Sequence, residues 1–266
     1  MTKGAGVFRF QESILHYQVS GNGSKIMLVF HGFGQSAELM KAWLQPLEQH
    51  YTFVSLDLFF HGNSMLEAHE RPLNESFWLQ MLQGFLDHLQ IEKATFLGYS
   101  MGCKFVLSSW QLLPEKVSCL VLLAPDGILK NGWYQLATAN SVSRLLFRWM
   151  SLHPQWLFAL MKAVGKFGLV KSSILKFAGT QLNSVEKRER AYQVWVNFRL
   201  LGLPGSQWTS MLKKHPVPVQ VGVGKFDRII VARKIRKALS QVPGVHVKEY
   251  VAGHNDLVLA WMKSQL

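Results

Sequence analysis

Short apolar segments alternate with longer amphipathic ones along most of the chain, and this order limits the possible folds more than any other feature. Residues 25–30 are apolar almost throughout, as in a buried strand, whereas residues 75–89 have apolar side chains at helical spacing. Strands of this kind, separated by helices, are typical of a parallel sheet that has helices on both faces. We therefore predict an α/β fold built on a mostly parallel sheet.

The predicted elements follow one another without an internal repeat. The strands are 25–30, 51–56, 94–97, 118–123, 217–223 and 245–251, and the helices are 37–49, 75–89, 101–113, 231–242 and 257–265. Two further segments, 8–10 and 14–19, are separated by polar residues and predict an antiparallel hairpin at the edge of the sheet.

The composition is that of a folded globular protein. Hydrophobic residues make up 48% of the 266 positions and charged residues 17%, which excludes an intrinsically disordered chain. The two cysteines, Cys103 and Cys119, are too few for a disulfide framework or a structural zinc site. Residues 1–6 lack the apolar segment of a secretory signal, and no uninterrupted apolar stretch reaches the length of about 18 residues that a membrane span needs. We therefore expect a cytoplasmic protein.

Positive charge is concentrated in one internal segment. Residues 128–216 contain 13 Lys and Arg but only two acidic residues, Glu186 and Glu189, and so hold a net +11 of the chain's +13. The same segment is rich in aromatic residues. A change of composition this large predicts a separate structural unit, which divides the chain into 1–127, 128–216 and 217–266.

The motif at residues 98–102, Gly-Tyr-Ser-Met-Gly, predicts a nucleophilic serine. It joins a predicted strand to a predicted helix, where two glycines let the backbone turn tightly and hold Ser100 at the end of the sheet. A serine hydroxyl is a weak nucleophile and needs a histidine base held by a carboxylate. His254 follows the last predicted strand, and Asp227 follows the strand before it. Because the carboxyl ends of parallel strands converge on one crevice, we expect Ser100, Asp227 and His254 to form a catalytic triad.

Catalysis of this kind also needs hydrogen-bond donors for the oxyanion that forms on the substrate. The amide of Met101 follows the nucleophile at the N-terminus of a predicted helix, which favours negative charge. The glycine-rich segment 31–34 follows the predicted strand 25–30 and lets the backbone approach a substrate closely. Phe33 in this segment is the candidate for the second donor.

On these residues the sequence resembles the α/β-hydrolase fold family over almost its whole length. The matching segments are 31–34, 57–64, 98–102, 224–227 and 253–254. The resemblance implies an eight-stranded, mostly parallel sheet with a helical lid inserted after the sixth strand, here residues 128–216, and catalysis without a cofactor or metal. One position departs from the family pattern. Phe60 occupies the first glycine position of an Asp-x-x-Gly-x-Gly-x-Ser segment, which puts the local loop shape in question.

Three residues near the predicted site have a second interpretation. Asp126 also follows a predicted strand, and some members of the family carry the triad acid there, although the position of Asp227 is the commoner one. Cys103 lies three residues after the serine and is expected to be in the core rather than reactive. His61 is expected to pack in its loop, since His254 already supplies the base.

The basic segment is compatible with several partners. Its Lys and Arg side chains can simply cover solvated helix faces while aromatic residues pack beneath. They can also attract an anionic substrate or an acidic carrier protein. Contact with a membrane surface is less favoured, and would involve residues 156–180, which mix lysines with apolar side chains. Nucleic acid is not expected, because no recognition motif accompanies the charge.

The predicted function is a serine hydrolase that cleaves a carboxylic ester of a small to medium, largely apolar substrate through an acyl-enzyme. Alternatively, the same triad serves a carbon–carbon bond hydrolase or lyase on an anionic dicarbonyl-type substrate, whose carboxylate Arg144, Arg148 or Arg199 could bind. Dehalogenases and epoxide hydrolases are disfavoured, because their nucleophile is an aspartate where this chain has Ser100. A non-catalytic member of the fold is also disfavoured, because no triad residue has been lost.

Overall fold

A computed structural model of the chain describes residues 2–129, 132–167, 179 and 182–266. By its contacts the chain forms two compact units: a sheet unit of Met1–Leu129 and Leu200–Leu266, and an inserted unit of Lys130–Arg199. The predicted insert, residues 128–216, contains the inserted unit and extends beyond it into the sheet unit. Its role as a lid stays a prediction. Of the segment considered for a membrane surface, residues 168–178 and 180 lie outside the described part.

One eight-stranded sheet forms the centre of the sheet unit. Its strands are β1 Gly4–Phe10, β2 Ser13–Gly21, β3 Lys25–Phe30, β4 Tyr51–Leu56, β5 Ala94–Tyr99, β6 Val117–Leu123, β7 Val219–Gly224 and β8 His246–Tyr250. Their spatial order is β1-β2-β4-β3-β5-β6-β7-β8. The β1–β2 hairpin at the edge and the β2–β4 pair are antiparallel, and all other pairs are parallel. The predicted fold class is therefore confirmed.

The helices begin and end where local chemistry dictates. They are α1 Ala37–Leu44, α2 Glu75–His88, α3 Gly102–Leu112, α4 Gly132–Thr138, α5 Ser141–Leu152, α6 Pro154–Lys166, α7 Val185–Asn197, α8 Trp208–Lys214, α9 Ala232–Leu239 and α10 Leu257–Lys263. The side chain of Ser36 caps the start of α1 and that of Asn74 the start of α2. The predicted helix 37–49 is shorter, because Pro46 lacks an N–H and the chain continues as a 3₁₀ turn. Among the described residues, every helix is too short or too polar to cross a membrane.

Both faces of the sheet are covered, as β3 illustrates. Met27 points to one face, where it belongs to a buried cluster with Trp261 of α10. Phe30 points to the other face, where its ring centroid lies 6.4 Å from Trp78 of α2 and 6.3 Å from Phe105 of α3. This burial on both sides explains why β3, apart from Lys25 at its start, is apolar throughout rather than alternating.

In the described part of the inserted unit, α5 packs against α7. The ring of Phe147 on α5 lies 5.5 Å from those of Tyr192 and Trp195 on α7. The buried Arg188 donates from Nε to the carbonyl of Ser151 at 2.8 Å. The core of this unit is small, since its buried apolar side chains among the described residues are Leu157, Ala191, Val194 and Phe198.

Candidate active site

Ser100 lies at the turn between β5 and α3. Its φ is +51°, in the left-handed region that a non-glycine residue occupies only when its surroundings hold it there. The Ser100 amide donates to the carbonyl of Leu123 at the end of β6 at 2.8 Å, and the Ser100 carbonyl accepts from the amides of Cys103 and Asp126 at 3.0 and 3.2 Å. These bonds fix the turn at the carboxyl end of the sheet, where its motif predicts it.

Both glycines of the serine motif are required by close packing. A Cβ on Gly98 would come within 2.8 Å of the Cα of Cys103, and a Cβ on Gly102 would overlap the carbonyl oxygen of Phe30. Phe30 pairs with Gly98 across β3 and β5. The loop that follows β3 is thereby brought next to the serine. A larger residue at position 102 would push α3 away from β3.

Side chains from two other strand ends meet the serine. His254, in the loop after β8, has its Nε2 3.0 Å from Oγ of Ser100 and its Nδ1 2.6 Å from Oδ2 of Asp227, in the loop after β7. An ionised carboxylate can only accept, so Nδ1 carries the proton and Nε2 accepts from the serine hydroxyl. The structure thus brings together the three predicted triad side chains, although Ser100 and His254 are 154 positions apart.

The carboxylate of Asp227 is buried and firmly held. Its side chain is 0% exposed, and Oδ1 accepts from the amides of Ile229 and Ile230 at 2.8 and 2.9 Å. Together with the imidazole, these donors compensate for the burial of the charge. A Cβ on Gly224 would come within 2.6 Å of the carbonyl oxygen of Ala252. The loops after β7 and β8 therefore approach each other closely only because residue 224 is a glycine.

Tyr99 anchors the histidine loop and was missed in the sequence. Its hydroxyl donates to the carbonyl of His254 at 2.6 Å, and its ring centroid lies 5.3 Å from the imidazole. Burial, reinforced by the negative charge of Asp227, raises the pKa of Tyr99, so the hydroxyl stays protonated and remains a donor at neutral pH. The signal available in the sequence was its place, directly before the nucleophile at the end of a buried strand.

Phe33 and Met101, the two predicted oxyanion donors, have backbone amides without an acceptor among the described residues. By contrast, the amides of Gly32 and Gly34 on either side of Phe33 donate within the protein at 2.9 Å each. Met101 lies immediately before the first turn of α3, whose N-terminus favours an anion. The site therefore has two backbone donors available to a developing negative charge.

Two buried histidines hold the loop after β3 against the segment after β4. His61 accepts from the amide of Gly34 through Nε2 at 2.9 Å, and His31 accepts from the amide of Leu58 through Nε2 at 3.0 Å. In both rings Nδ1 faces a backbone carbonyl, so both imidazoles are neutral with the proton on Nδ1. His61 is thus packed in its loop, as expected, and it also positions the residue next to Phe33.

Phe60 has a left-handed backbone conformation, which the glycine of the family pattern would adopt without strain. Its φ is +66°, and the guanidinium of Arg71 lies 5.2 Å from its ring centroid. Nearby, the carboxylate of Asp57 accepts from the amide of Ala37 at the start of α1 at 2.7 Å. The left-handed conformation of a non-glycine residue costs about 1–2 kcal/mol. The departure at position 60 is therefore accommodated at this cost.

Asp126, the alternative triad acid, makes other contacts. Its Oδ2 lies 3.7 Å from Nζ of the buried Lys104, and its Oδ1 accepts from the amide of Gly127 at 2.8 Å. Of the two acids considered, Asp227 is the one that contacts His254 in the described part of the chain.

The cysteines lie in environments that suppress thiolate formation. Cys103 is fully buried and its thiol donates to the carbonyl of Gly98 at 3.1 Å. Burial, reinforced by the negative charge of Asp126, raises the pKa of the Cys103 thiol well above its ordinary value. Burial also raises the pKa of Cys119. Since the thiolate is the nucleophilic form, Cys103 has the character of an unreactive core residue.

One cluster among the described residues has side chains placed as metal ligands could be. Atoms of Glu12, Glu67 and His69 all lie within 4.8 Å of one another. Their side chains are exposed or partly exposed, and the cluster contains no residue of the site around Ser100. The expectation that the reaction needs no metal or cofactor stays a prediction.

Comparison with known proteins places this geometry in a family. The chain matches the family described as alpha/beta hydrolase fold over residues 25–257. The uncharacterized hydrolase YugF of Bacillus subtilis (strain 168) is 34% identical over 222 residues, which cover 81% of this chain and 77% of that protein. The pimeloyl-[acyl-carrier protein] methyl ester esterase of Aliivibrio fischeri (strain MJ11) is 29% identical over 121 residues, 45% of this chain and 44% of that protein.

Solved structures show the same architecture. A hydrolase from Pseudomonas aeruginosa PA01 superposes with a TM-score of 0.69 at 19% identity, covering 98% of this chain and 97% of that one. The relatives support a hydrolase. Because the family match spans most of the sequence and includes both parts of the sheet unit, the chain belongs to the alpha/beta hydrolase fold family.

Proposed function

We propose that the protein is a serine hydrolase that cleaves a carboxylic ester of a small to medium, largely apolar substrate through an acyl-enzyme. The observation that carries the proposal is the unbroken hydrogen-bond chain from Ser100 through His254 to the buried Asp227, at 3.0 and 2.6 Å. A hydroxyl, an imidazole and a carboxylate in this arrangement can remove the hydroxyl proton as the oxygen attacks.

In the first half of the proposed reaction, Oγ of Ser100 attacks the ester carbonyl carbon while Nε2 of His254 takes its proton. Asp227 stabilises the imidazolium that forms and keeps its ring in place. The amides of Phe33 and Met101 donate to the oxyanion of the tetrahedral intermediate. Each such donor accelerates the reaction by about 10²–10³-fold. Because neither amide has an acceptor among the described residues, both can donate to the oxyanion.

In the second half, the carbon–oxygen bond to the alcohol breaks and His254 gives its proton to the leaving oxygen. The acyl group stays on Ser100. A water molecule then attacks the acyl carbon while His254 takes its proton, and the acid leaves as Ser100 recovers its hydroxyl proton. The serine proton thus leaves with the alcohol and a proton from the water replaces it, so His254 carries one proton in each half of the cycle and ends neutral, as it began.

The substrate class rests on two lines of support. A relative over almost half of the chain is named as a methyl ester esterase, which favours an ester as the bond cleaved. An apolar acyl or alcohol group follows from the proposed lid role of residues 128–216, which are rich in aromatic side chains.

A chain-length series of p-nitrophenyl esters, run with the wild type and Ser100→Ala, tests the proposal. We expect hydrolysis by the wild type and a loss of about 10⁵–10⁶-fold in kcat for Ser100→Ala, because the nucleophile is gone. A fluorophosphonate should form an adduct on Ser100 of the folded wild type, to be located by mass spectrometry of peptides. The rank of the esters reports the depth of the acyl pocket.

Two results would contradict the proposal. A folded wild type that neither hydrolyses any ester nor reacts with the fluorophosphonate would indicate a non-catalytic member of the family. A 1,3-dicarbonyl compound turned over much faster than every ester would replace ester hydrolysis by carbon–carbon bond cleavage with the same triad.

A further inference from the structure

The inserted unit exposes an apolar face on α5. Large apolar side chains recur at positions 142, 145, 146, 149 and 152, a spacing that places them on one side of a helix. They are between 42% and 75% exposed: Val142, Leu145, Leu146, Trp149 and Leu152. In a helix surrounded by water such a stripe is normally the buried face, and a contiguous exposed one indicates an interaction surface.

The opposite side of α5 is already occupied. Phe147 packs on Tyr192 and Trp195 of α7, and the carbonyl of Ser151 accepts from the buried Arg188. Turning the apolar stripe inward would break these contacts. The stripe therefore faces outward because the rest of the unit holds α5 in that orientation.

The apolar face continues onto α6. The ring centroids of Trp149 and Trp156 lie 6.2 Å apart, which joins the two helices into one surface. Trp156 and Leu160, four positions apart and therefore on one side of α6, are 58% and 49% exposed. We call these two residues, together with the five of α5, the α5–α6 surface.

The stretch of chain that contains α5 and α6 carries positive charge and no acidic residue. Between Asp126 and Glu186 there is no acidic residue, whereas the same stretch has seven Lys and Arg. Three of them are exposed on α5 and α6 themselves: Arg148, Lys162 and Lys166. Cations that border an exposed apolar face complement a partner that is both apolar and anionic.

We infer that the α5–α6 surface docks on an anionic phospholipid bilayer, with α5 and α6 lying in the plane of the interface. The aliphatic side chains enter the acyl boundary, Trp149 and Trp156 lie at the level of the headgroups, and the cations meet the lipid phosphates. A partner that is only acidic would complement the cations and leave the aliphatic stripe in water, whereas an anionic bilayer offers both phosphates and acyl chains. The inference concerns the inserted unit and does not depend on the reaction at Ser100.

Co-sedimentation of the 266-residue chain with vesicles tests the inference. We expect binding to vesicles of equimolar phosphatidylcholine and phosphatidylglycerol, with weaker binding to phosphatidylcholine alone and at high salt. Leu145→Gln should lower the partition coefficient about tenfold, because a polar amide replaces an inserted apolar side chain. Arg148→Gln should lower it about fivefold, because Arg148 lies three positions from Leu145 and four from Leu152 at the edge of the apolar stripe, and one cation near the anionic surface is lost.

Matched controls lie in the sheet unit. Val7→Gln removes a side chain that is 46% exposed on β1, and Lys234→Gln removes an exposed cation on α9, and neither should change vesicle binding. Ser100→Ala should bind vesicles like the wild type, so a failure of the proposed reaction and a failure of docking can be told apart.

Four outcomes would overturn the inference. They are no binding to the anionic vesicles, equal losses in the α5–α6 and control variants, binding of an acidic acyl carrier protein in place of vesicles, and a lipid-free dimer that Leu145→Gln dissociates. The third result would assign the surface to a protein partner, and the fourth to a second copy of the chain.

Discussion

The two units of the molecule place their large apolar residues in opposite ways. In the sheet unit, Leu28, Phe30, Trp78 and Trp110 are 0% exposed, between the sheet and its helices. Among the described residues, the inserted unit exposes eleven large apolar side chains, against eight in the much longer sheet unit. The insert therefore leaves in contact with water the kind of side chain that the sheet unit uses to build its core.

This difference explains why the candidate active site belongs to the sheet unit. Ser100 is held at a strained φ, and Gly98, Gly102 and Gly224 lie where the backbone has no space for a Cβ. Such a geometry persists only in surroundings that are packed densely enough not to relax. A unit with a small core and an exposed apolar face is better suited to contacting a partner than to holding reacting groups in place.

Among the substitutions that compare the two units, replacement of the catalytic acid should have the largest effect. In Asp227→Asn the amide can donate to Nδ1 of His254, which moves the imidazole proton to Nε2 and leaves no acceptor for the Ser100 hydroxyl. We expect kcat on the best p-nitrophenyl ester to fall about 10⁴-fold. Vesicle binding should be unchanged, because Asp227 lies outside the inserted unit.

Asp126→Asn is the matched control for this prediction. It makes the same chemical change at the end of the neighbouring strand, where the carboxylate contacts Lys104 rather than the histidine. Its kcat should stay far closer to the wild-type value, on protein shown to be folded by near-ultraviolet circular dichroism. If Asp126→Asn suffers the larger loss, the acid has been assigned wrongly.

Truncation of a leucine to alanine should destabilise the two units to different degrees. Leu97 on β5 is 0% exposed and Leu145 on α5 is 69% exposed. Leu97→Ala leaves a cavity in the core and should lower the free energy of unfolding by about 2–5 kcal/mol. Leu145→Ala should change it by less than about 0.5 kcal/mol. Denaturant unfolding followed by tryptophan fluorescence measures both, and a large loss for Leu145→Ala would show that the apolar face of α5 is packed.

Most of the fold could be predicted because the strands of the sheet unit are buried between helices and are therefore rich in apolar residues. Residues 25–30 and 51–56 match β3 and β4 at both ends, because a segment of six mostly apolar residues is too short for a helix and suits a strand covered on both faces. Element ends are set by local chemistry instead. The predicted helix 37–49 stops at Leu44 because of Pro46, an effect that apolar spacing does not register.

The site could be predicted only in part. Ser100, Asp227 and His254 each follow an apolar strand, and parallel strand ends must meet at one edge of the sheet. The bonds that hold them could not be predicted, because Tyr99 reaches a carbonyl 155 positions away and His61 reaches the amide of a residue 27 positions away. Such contacts depend on the direction of single side chains, which no spacing records.

The orientation of α5 could not be predicted from the sequence for a similar reason. Apolar residues at helical spacing predict a helix with one buried face. The expectation that the insert's aromatic residues pack beneath its cations holds for Phe147 but not for Trp149, which is 42% exposed. Which side of a helix is buried depends on the neighbour that it meets.

The smallest expected effect comes from one hydroxyl in each unit. Tyr99 donates to the carbonyl of His254 at 2.6 Å, and Tyr134 donates to the carbonyl of Trp195 at 2.9 Å. Replacing either tyrosine by phenylalanine removes that bond and keeps the ring, and a bond of this kind contributes about 0.5–1.5 kcal/mol. The two variants therefore compare the same chemical change in the two units.

Tyr99→Phe should lower kcat about fivefold and leave KM unchanged, because the backbone of His254 loses an anchor and its imidazole is less often aligned with Ser100. Tyr134→Phe should lower the stability of the inserted unit and leave kcat as it is. Steady-state kinetics on one ester, together with thermal unfolding of both variants, measures each effect. Because Tyr99 acts through His254 rather than on the substrate, a rise in KM without a fall in kcat would contradict its positioning role. A similar fall in kcat for Tyr134→Phe would show that the geometry of the site depends on both units.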